Sequence, residues 1–479
     1  MAHRINPISR RRLLATAGLG TSAFLLSDGF GPSSAHAEEA DVDKLPLLIF
    51  CEFSGGWDTL LSLDPRDHTD PKYSDPNNKI HTGYDLVAEA DDVVAEVLKN
   101  TGNSGLITPP GSNVSFGPAM EKLAQAHFED LCVIRGINMG TLTHSVGKRY
   151  FLTGKFPRGL APSGSSLPTW WSRENAGLFP IPNLASRTEA FNEGLDPRAT
   201  ALRINNHDDL EDVLKPLHPD LEPRAKLAQA LAEFQYTDHC LDEQIDVTTL
   251  THAHHASFEK SLAFSSGEMW EHFDFVRNPE PGSTIATLYE ALEINPASPF
   301  GALTGPKGQA AVAAQALTNG LSQAVSIELA SGLDTHSDNW AAVQASTQRD
   351  GWEALSNLIS YLKNTLDANG EPFWNRTTIF CYADFARTPR INQRGGRDHF
   401  LYSASLIAGP GIKGNQAIGA NNDYDYNALP VDVETGAPDA DNGTVVRPPD
   451  VHATVLESMG MSHENVSNQS PVLLKAALK

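Results

Sequence analysis

Basic residues are scarce in this 479-residue chain, which has 36 lysines and arginines against 59 aspartates and glutamates and a formal net charge of −23. An acidic surface of this kind repels the phosphates of nucleic acids and anionic lipid headgroups. We therefore expect neither nucleic acid nor an anionic membrane as a partner. An anionic small-molecule substrate would need a local cationic site, and a bound metal ion is one way to provide it.

Cysteine is also scarce, with four residues in the whole chain, and none of the four has the C-x-x-C spacing of many zinc and dithiol redox motifs. Cys51, Cys132 and Cys381 each lie in an apolar run that looks like a strand, whereas Cys240 does not. We interpret the three as buried packing thiols rather than as disulfide partners.

Long apolar runs are missing as well, and the one near the N-terminus is short and contains Gly18 and Gly20. Such a run is too weak to span a bilayer permanently. It follows a twin-arginine pattern at Arg11-Arg12 and precedes Ala35-His36-Ala37, which reads as a cleavage site. We therefore predict that residues 1–37 are a signal peptide, read by the twin-arginine translocation machinery, and that the protein is periplasmic or extracellular.

Five short runs are apolar without interruption, as strands covered on both faces of a parallel sheet are. Helical periodicity lies between them, and its longest stretch is Trp340–Leu366. This alternation predicts an α/β fold with a central, mostly parallel sheet. The predicted strands are Leu47–Phe53, Leu131–Ile137, Ala324–Leu329, Thr378–Tyr382 and Ala404–Ala408.

The alternation breaks between about residues 165 and 300, where proline-containing loops and polar helices dominate. We interpret this part as a mainly helical insertion or cap on a core formed by about residues 45–165 and 300–479. Residues 38–479 would then form a single domain. Asn415–Pro449 is rich in Asn, Asp, Gly and Pro, which predicts a long surface loop.

Aspartate, histidine and hydroxyl side chains follow four of the predicted strands. In open α/β sheets ligands bind beyond the carboxyl ends of the strands, so these side chains are expected at one edge. The first strand is followed by Asp58, the second by Thr141, Thr143, His144 and Ser145, the third by Asp334 and His336, and the fourth by Asp384, Arg387, Asp398 and His399.

The spacing of these residues is compatible with metal binding. Asp334 and His336 point the same way in an extended segment and could hold one ion. The adjacent Asp398 and His399 could share an ion only where the chain bends, and Gly395-Gly396 supply that freedom. Carboxylate and imidazole ligands suit Zn²⁺ or Mn²⁺, so we predict one or two divalent ions.

Each of these positions also has a structural interpretation. Asp398 and His399 could form a polar turn, Asp58 could cap a helix, and Asp334 with His336 could cap the helix beginning near Trp340. A separate cluster, His252, His254 and His255, lies in the polar insertion and is interpreted as a solvated helix face.

Five short motifs together resemble the exported domain of unknown function 1501 family, which is similar in turn to the alkaline phosphatase and sulfatase superfamily. The motifs are SGGWD, LTHSVGKRYFLTG, LDTHS, DFART and GGRDH, in that order, and the resemblance covers roughly residues 45–175 and 320–465. It implies an alkaline-phosphatase-like three-layer sandwich. Two features depart from the related patterns: D-x-H replaces the superfamily's frequent D-x-x-x-H, and DFART replaces the family's usual EFGRT.

The resemblance also implies roles for individual residues. Asp58, Asp398 and His399 would bind one ion, and Asp334 and His336 a second. Thr143 would be the nucleophile, although Thr141 and Ser145 are close enough to compete, and His452 would be a late metal ligand. Arg387 could hold a tetrahedral oxyanion or simply balance the acidic surface.

Two functions follow from these implied roles. The first is an exported metal-dependent hydrolase of phosphate, sulfate or phosphonate esters, acting on a small anionic substrate. The second is a non-catalytic metal-binding or structural protein with the same fold.

Overall fold

A computed structural model describes residues 42–479 except residues 76, 216–268, 277–278 and 468–469. The predicted signal peptide, Cys240 and the histidines at 252, 254 and 255 lie outside the described residues. Among the helices that are described, none combines the length and the hydrophobicity needed to cross a bilayer.

In the described residues, ten strands form one large sheet and one small one. They are β1 (Leu47–Phe53), β2 (Cys132–Asn138), β3 (Asn183–Ser186), β4 (Leu202–Ile204), β5 (Ala324–Ala330), β6 (Thr377–Ala383), β7 (Ala386–Arg387), β8 (His399–Phe400), β9 (Tyr402–Ala408) and β10 (Gln416–Ile418). The large sheet has eight strands in the order β10-β2-β9-β6-β1-β5-β3-β4, and β7 pairs with β8 separately.

The large sheet is parallel except at β9, which runs antiparallel to both β2 and β6. The predicted α/β fold with a mostly parallel sheet is therefore confirmed. The run at Ala404–Ala408, expected as a parallel strand, was assigned the wrong direction. Burial on both faces gives the same unbroken apolar pattern whichever way a central strand runs.

The apolar strands are unbroken because both faces of the sheet are covered. In β1, Leu47, Ile49, Cys51 and Phe53 pack into one core, whereas Leu48 and Phe50 pack into the other. Side chains alternate between faces along a strand, so a strand buried on both sides needs an apolar residue at almost every position. The predicted thiols agree with this: Cys51, Cys132 and Cys381 are buried and free.

Helices form a layer on each face, which confirms the three-layer sandwich. The described helices are α1 (Tyr84–Ala90), α2 (Asp92–Asn100), α3 (Glu121–His127), α4 (His144–Thr153), α5 (Leu167–Ser172), α6 (His207–Leu214), α7 (Thr284–Ala291), α8 (Phe300–Leu303), α9 (Pro306–Thr318), α10 (Trp340–Asn364) and α11 (Pro448–Glu457). The two hydrophobic cores assign these helices to the two layers. Helices α3, α9 and α10 pack on one face of the sheet, and α4, α5 and α11 pack on the other.

Part of the segment predicted as an insertion belongs to the central sheet. β3 pairs in parallel with β5 and with β4, so the prediction of a cap from about residue 165 was wrong for these two strands. They have four and three residues, too few for a periodic pattern to stand out among the surrounding prolines. The other domain boundaries remain predictions.

The surface segment at Asn415–Pro449 contains one short strand, β10, and otherwise turns until α11 begins. Its Asn and Asp side chains accept hydrogen bonds from backbone N–H groups two or three residues ahead, as Asn422 and Asp439 do. Such turns order a long irregular segment without a core of its own.

Candidate metal centre

Three imidazole rings and one carboxylate meet beyond the carboxyl ends of the central strands. Asp334 Oδ1 lies 3.2 Å from His144 Nε2, 2.9 Å from His336 Nε2 and 3.3 Å from His399 Nε2. His399 Nε2 lies 3.1 Å from His144 Nε2 and 2.9 Å from His336 Nε2. Metal–ligand bonds of about 2.0–2.2 Å place neighbouring ligands of one ion roughly 2.8–3.6 Å apart, from octahedral to tetrahedral geometry. These separations are therefore those of a ligand shell.

The four side chains come from different parts of the sheet edge. His144 is the first residue of α4 and follows β2, whereas Asp334 and His336 follow β5. His399 lies in β8, where it pairs with Arg387 of β7 just after β6. The cluster therefore assembles residues up to 255 positions apart in the chain.

Each ring is fixed through its other nitrogen. His144 Nδ1 lies 2.6 Å from Asp384 Oδ2, His336 Nδ1 lies 2.8 Å from Asp398 Oδ1, and His399 Nδ1 lies 2.7 Å from the carbonyl oxygen of Leu142. Carboxylates and carbonyls only accept, so each Nδ1 is the protonated donor. The Nε2 lone pairs then face the centre of the cluster, where His336 Nε2 also lies 3.4 Å from Arg387 Nη1.

This arrangement fits a cation. Three Nε2 lone pairs and a carboxylate oxygen, all within about 3 Å of a neighbour, repel one another unless positive charge lies among them. Hydrogen bonding of the outer nitrogen to a carboxylate or carbonyl is the usual support for a metal-binding histidine. The ligand atoms of His144, Asp334 and His399 all lie within 4.8 Å of one another, and His336 is not part of this group. The side chains present can thus bind a metal ion.

Arg387 controls the charge of Asp334. Its Nη2 lies 2.6 Å from Asp334 Oδ1, and the guanidinium also donates to the carbonyl oxygens of Gly55, Gly56 and Arg397. Partial burial would raise the pKa of Asp334, but the hydrogen bond and charge of Arg387 outweigh it and lower that pKa. Asp334 is therefore ionised, the form that binds a metal.

The histidines differ in their electrostatic surroundings. Burial lowers the pKa of His399, which favours the neutral ring that a metal requires. Burial also opposes the charge of His144, but the hydrogen bond and charge of Asp384 outweigh it and raise the pKa of His144. Binding at His144 therefore competes with a proton more strongly than binding at His399.

The cluster is open to solvent. The side chains of Asp334, His144, His336 and His399 are exposed to 49%, 33%, 30% and 23%. A small molecule can therefore reach an ion held between them.

The predicted metal ligands fall into three groups in the structure. Asp334, His336 and His399 are brought together in one cluster rather than two. Asp398 lies beside it but turns its carboxylate to His336 Nδ1 and, at 3.4 Å, to Arg394 Nη2. Adjacent residues of an extended segment point in opposite directions, so Asp398 supports a ring while His399 faces the centre.

Asp58 and His452 lie apart from the cluster. Asp58 Oδ2 is 2.9 Å from Arg397 Nε and 2.9 Å from Trp340 Nε1, while its Oδ1 accepts from the N–H of Leu60 as a helix cap. His452 is fully buried in α11 with Nε2 2.5 Å from the carbonyl oxygen of Phe151. Burial lowers the pKa of His452 to about 4, so it is a neutral core residue.

Thr143, the predicted nucleophile, is the exposed residue that caps α4 immediately before His144. Its carbonyl oxygen accepts from the N–H groups of Val146 and Gly147, and its hydroxyl makes no capping bond. Thr143 is therefore the sequence neighbour of His144, whose ring belongs to the cluster.

Sequence reasoning missed His144 as a ligand. A signal was present, because T-H-S after β2 repeats the hydroxyl-His-Ser order of T-H-S after β5. Asp384 was noted only as a polar residue after a strand, although it orients His144.

Several solved structures resemble this chain at low identity. "Crystal structure of Ps i-CgsB" is 11% identical, with a TM-score of 0.36, over 90% of this chain and 75% of that one. "Structure of BT4656 in complex with its substrate D-Glucosamine-2-N, 6-O-disulfate" is 11% identical, with a TM-score of 0.32, over 91% and 80%. "Phosphonate monoester hydrolase SpPMH from Silicibacter pomeroyi" is 13% identical, with a TM-score of 0.29, over 76% and 72%. Identities and TM-scores this low support no inference about the site.

No curated protein sequence matches this chain. The family model described as "Protein of unknown function (DUF1501)" matches residues 46–470, which include every member of the histidine and aspartate cluster. The match covers most of the chain and agrees with the five motifs, so this protein belongs to the DUF1501 family.

Proposed function

We propose that the protein is an exported metal-dependent hydrolase of phosphate, sulfate or phosphonate esters. The observation that supports it is the convergence of three Nε2 atoms on Asp334, with every Nδ1 already bonded. The nitrogen-rich donor set favours Zn²⁺ or Mn²⁺ over Ca²⁺ or Mg²⁺. The exposure of the four side chains makes the centre accessible to a substrate.

The proposal is for one ion in each chain rather than two. Of the residues expected to hold two ions, Asp334, His336 and His399 lie in a single cluster, whereas Asp58 is paired with the buried guanidinium of Arg397. A carboxylate that accepts hydrogen bonds from Trp340 and Leu60 and forms an ion pair with Arg397 has little capacity left for a second metal.

A divalent ion at this centre would act as a Lewis acid toward the ester and would lower the pKa of an oxygen nucleophile. The chain's own residues prepare the site. Asp384 and Asp398 hold His144 and His336 with Nε2 facing inward, and Arg387 keeps Asp334 ionised. Because Arg387 is buried and donates to three carbonyls, we assign it to positioning Asp334 rather than to gripping substrate oxygens. Thr143 is the candidate nucleophile.

The test combines metal content with turnover in residues 38–479. We expect one Zn²⁺ or Mn²⁺ per chain by elemental analysis and metal-dependent hydrolysis of at least one of p-nitrophenyl phosphate, p-nitrophenyl sulfate and a phenyl phosphonate ester. His399→Ala should lose both properties, whereas His463→Ala, a partly exposed histidine elsewhere, should keep both. A metal-free wild-type protein or a fully active His399→Ala variant would contradict the proposal.

Thr143→Ala separates the nucleophile from the metal centre. We expect this variant to bind the ion normally and to lose turnover, because the substitution removes only an exposed hydroxyl. Ser145→Ala is the matched control, since Ser145 is an exposed hydroxyl two residues away. Loss of turnover in Ser145→Ala but not in Thr143→Ala would reassign the nucleophile.

A second candidate function is metal binding without catalysis. It is favoured by the number of possible ligands, because His144, His336, His399 and Asp334 supply four donors and structural zinc sites take all their ligands from the protein. This candidate predicts one bound ion, no hydrolysis across the ester panel and a large loss of thermal stability on chelation.

Export by the twin-arginine pathway is also a proposal, because residues 1–37 lie outside the described part of the chain. Replacing Arg11 and Arg12 by lysine should retain the protein in the cytoplasm. Secretion of the substituted protein at the wild-type level would contradict it.

A further inference from the structure

A second polar cavity lies away from the histidine and aspartate cluster. It has a volume of about 560 Å³ and is bounded by the segment after β1, by Arg135 of β2 and by the turn after β10. The residues that matter for its chemistry are Asp64, Arg66, Lys72, Arg135, Asn421 and Asp423. None of them belongs to the metal centre described above.

Two oxygens of residues that line this cavity have no donor among the described residues, and both are closed to solvent in this conformation. Asp64 is 1% exposed and Asn421 is 5% exposed. Across the described ranges, no N–H or O–H group hydrogen-bonds to Asp64 Oδ2 or to Asn421 Oδ1. Buried polar atoms in folded proteins are nearly always satisfied, so these two acceptors point to a molecule that carries donors.

A metal ion is disfavoured as the ligand of this cavity. The other oxygen of Asp64, Oδ1, lies 2.7 Å from Arg66 Nη1 and 3.3 Å from Arg135 Nε. The negative charge of Asp64 is therefore already balanced by two guanidinium groups, which would repel a cation placed beside it.

An anion is also disfavoured, because the cations of the cavity are paired. Arg66 Nε lies 2.8 Å from Asp423 Oδ1, and Lys72 Nζ lies 2.9 Å from Asp423 Oδ2 and 3.1 Å from Asp70 Oδ2. A ligand with neutral hydroxyl groups fits this cavity best. Its hydroxyls can donate to the two oxygens that have no donor, and they can accept from the arginine and lysine N–H groups.

The wall of the cavity can open at low cost. Lys72 and Asp423 are exposed to 42% and 55%, and an exposed ion pair contributes little to stability. Moving the Lys72 side chain aside opens the rim toward Asp64, and Asp423 can keep its contact with Arg66 Nε.

We propose that this cavity binds a neutral polyhydroxylated molecule of the carbohydrate class. Adjacent hydroxyls of the sugar donate to Asp64 Oδ2 and Asn421 Oδ1. The site is independent of the metal centre and does not rest on the proposed hydrolase activity.

The test is saturation-transfer NMR on residues 38–479 with glucose, galactose, N-acetylglucosamine and maltotriose as probes, followed by titration calorimetry with the probe that gives a signal. We expect binding that is at least tenfold weaker in Asn421→Ala and unchanged in Asn427→Ala, an exposed asparagine in the same turn. His399→Ala should bind the sugar normally, which separates this site from the metal centre.

A blocking variant tests the cavity without touching its buried groups. Lys72→Trp fills the exposed rim and should abolish binding, whereas Lys99→Trp, on an exposed helix surface, should not. The proposal is overturned if no sugar gives a signal, if Lys72→Trp binds as well as wild type, or if calcium or inorganic phosphate displaces the sugar.

Discussion

His144 Nδ1 lies 2.6 Å from Asp384 Oδ2. This contact joins the start of α4 to the end of β6 and sets the ring so that Nε2 faces Asp334, 3.2 Å away. Asp384 is itself fixed by the N–H of Gly55, which donates to its other oxygen at 3.2 Å. The orientation of a candidate metal ligand therefore depends on three separate segments of the sheet edge.

Asp384→Asn should weaken metal binding because the amide supports the Nδ1-protonated ring less well than a carboxylate does. Removal of such an outer partner typically costs 10–100-fold in metal affinity, and we expect about that loss. Competition with a chromogenic zinc chelator measures it. Asp441→Asn is the control, because Asp441 is an exposed carboxylate in the surface segment Asn415–Pro449. Equal metal affinities for the two variants would contradict the role assigned to Asp384.

Asp58→Ala should destabilise the fold while leaving the metal content unchanged. The substitution strands the buried guanidinium of Arg397, and breaking one partner of a buried ion pair costs about 3–5 kcal/mol. Urea unfolding gives the free energy, and elemental analysis gives the ion. Asp441→Ala should change the free energy of unfolding by less than about 0.5 kcal/mol. A variant that loses its ion but keeps its stability would restore Asp58 as a ligand.

Glu52→Gln should flatten the dependence of stability on pH. Burial raises the pKa of Glu52 from 4.5 to about 7, against the opposing charge of Lys148. Below pH 4.5 the side chain is protonated in both states, and as pH rises toward 7 the unfolded chain loses this proton first. Wild-type stability therefore falls over this window, by about 3 kcal/mol relative to Glu52→Gln.

Urea unfolding of both proteins at pH 4.5, 6 and 8 measures that difference. Glu434→Gln, an exposed glutamate paired with Lys475, is the control and should follow the wild-type curve. Parallel curves for wild type and Glu52→Gln would show that Glu52 has an ordinary pKa.

Gly396→Ala should disturb the metal centre through the backbone. A Cβ on Gly396 would lie 2.3 Å from the backbone at His336 and Ser337, which is far inside van der Waals contact. The clash would separate the segment of Asp334 and His336 from that of His399 and cost about 1–3 kcal/mol. We expect weaker metal binding together with a lower unfolding temperature.

Gly301→Ala is the matched control, because a Cβ there meets nothing within 4 Å. If Gly396→Ala bound the ion as tightly as Gly301→Ala, the close approach of the two segments would not matter for the centre.

The fold was largely predictable because the central strands are buried on both faces. An unbroken apolar run such as Leu47–Phe53 follows from that burial alone, and so does the apolar face of the helix beginning at Trp340. The direction of β9 and the short strands β3 and β4 were not predictable, since direction leaves no mark on composition and three or four residues show no period.

The candidate site was predictable only in part. The sequence alone determined that Asp334, His336 and His399 stand after strands, where an α/β sheet binds its ligands. It could not decide which neighbours share a centre, because His144 reaches His399 across 255 residues.

The segment RGGRDHF shows what only the tertiary structure decided. The sequence predicted that Asp398 and His399 share one ion, yet in the structure Arg397 balances the buried Asp58, Asp398 supports His336, and His399 faces the cluster. Local geometry sends adjacent side chains in opposite directions, but packing against other strands determines what each one meets. The residue types therefore indicated a metal site, and the fold determined its members.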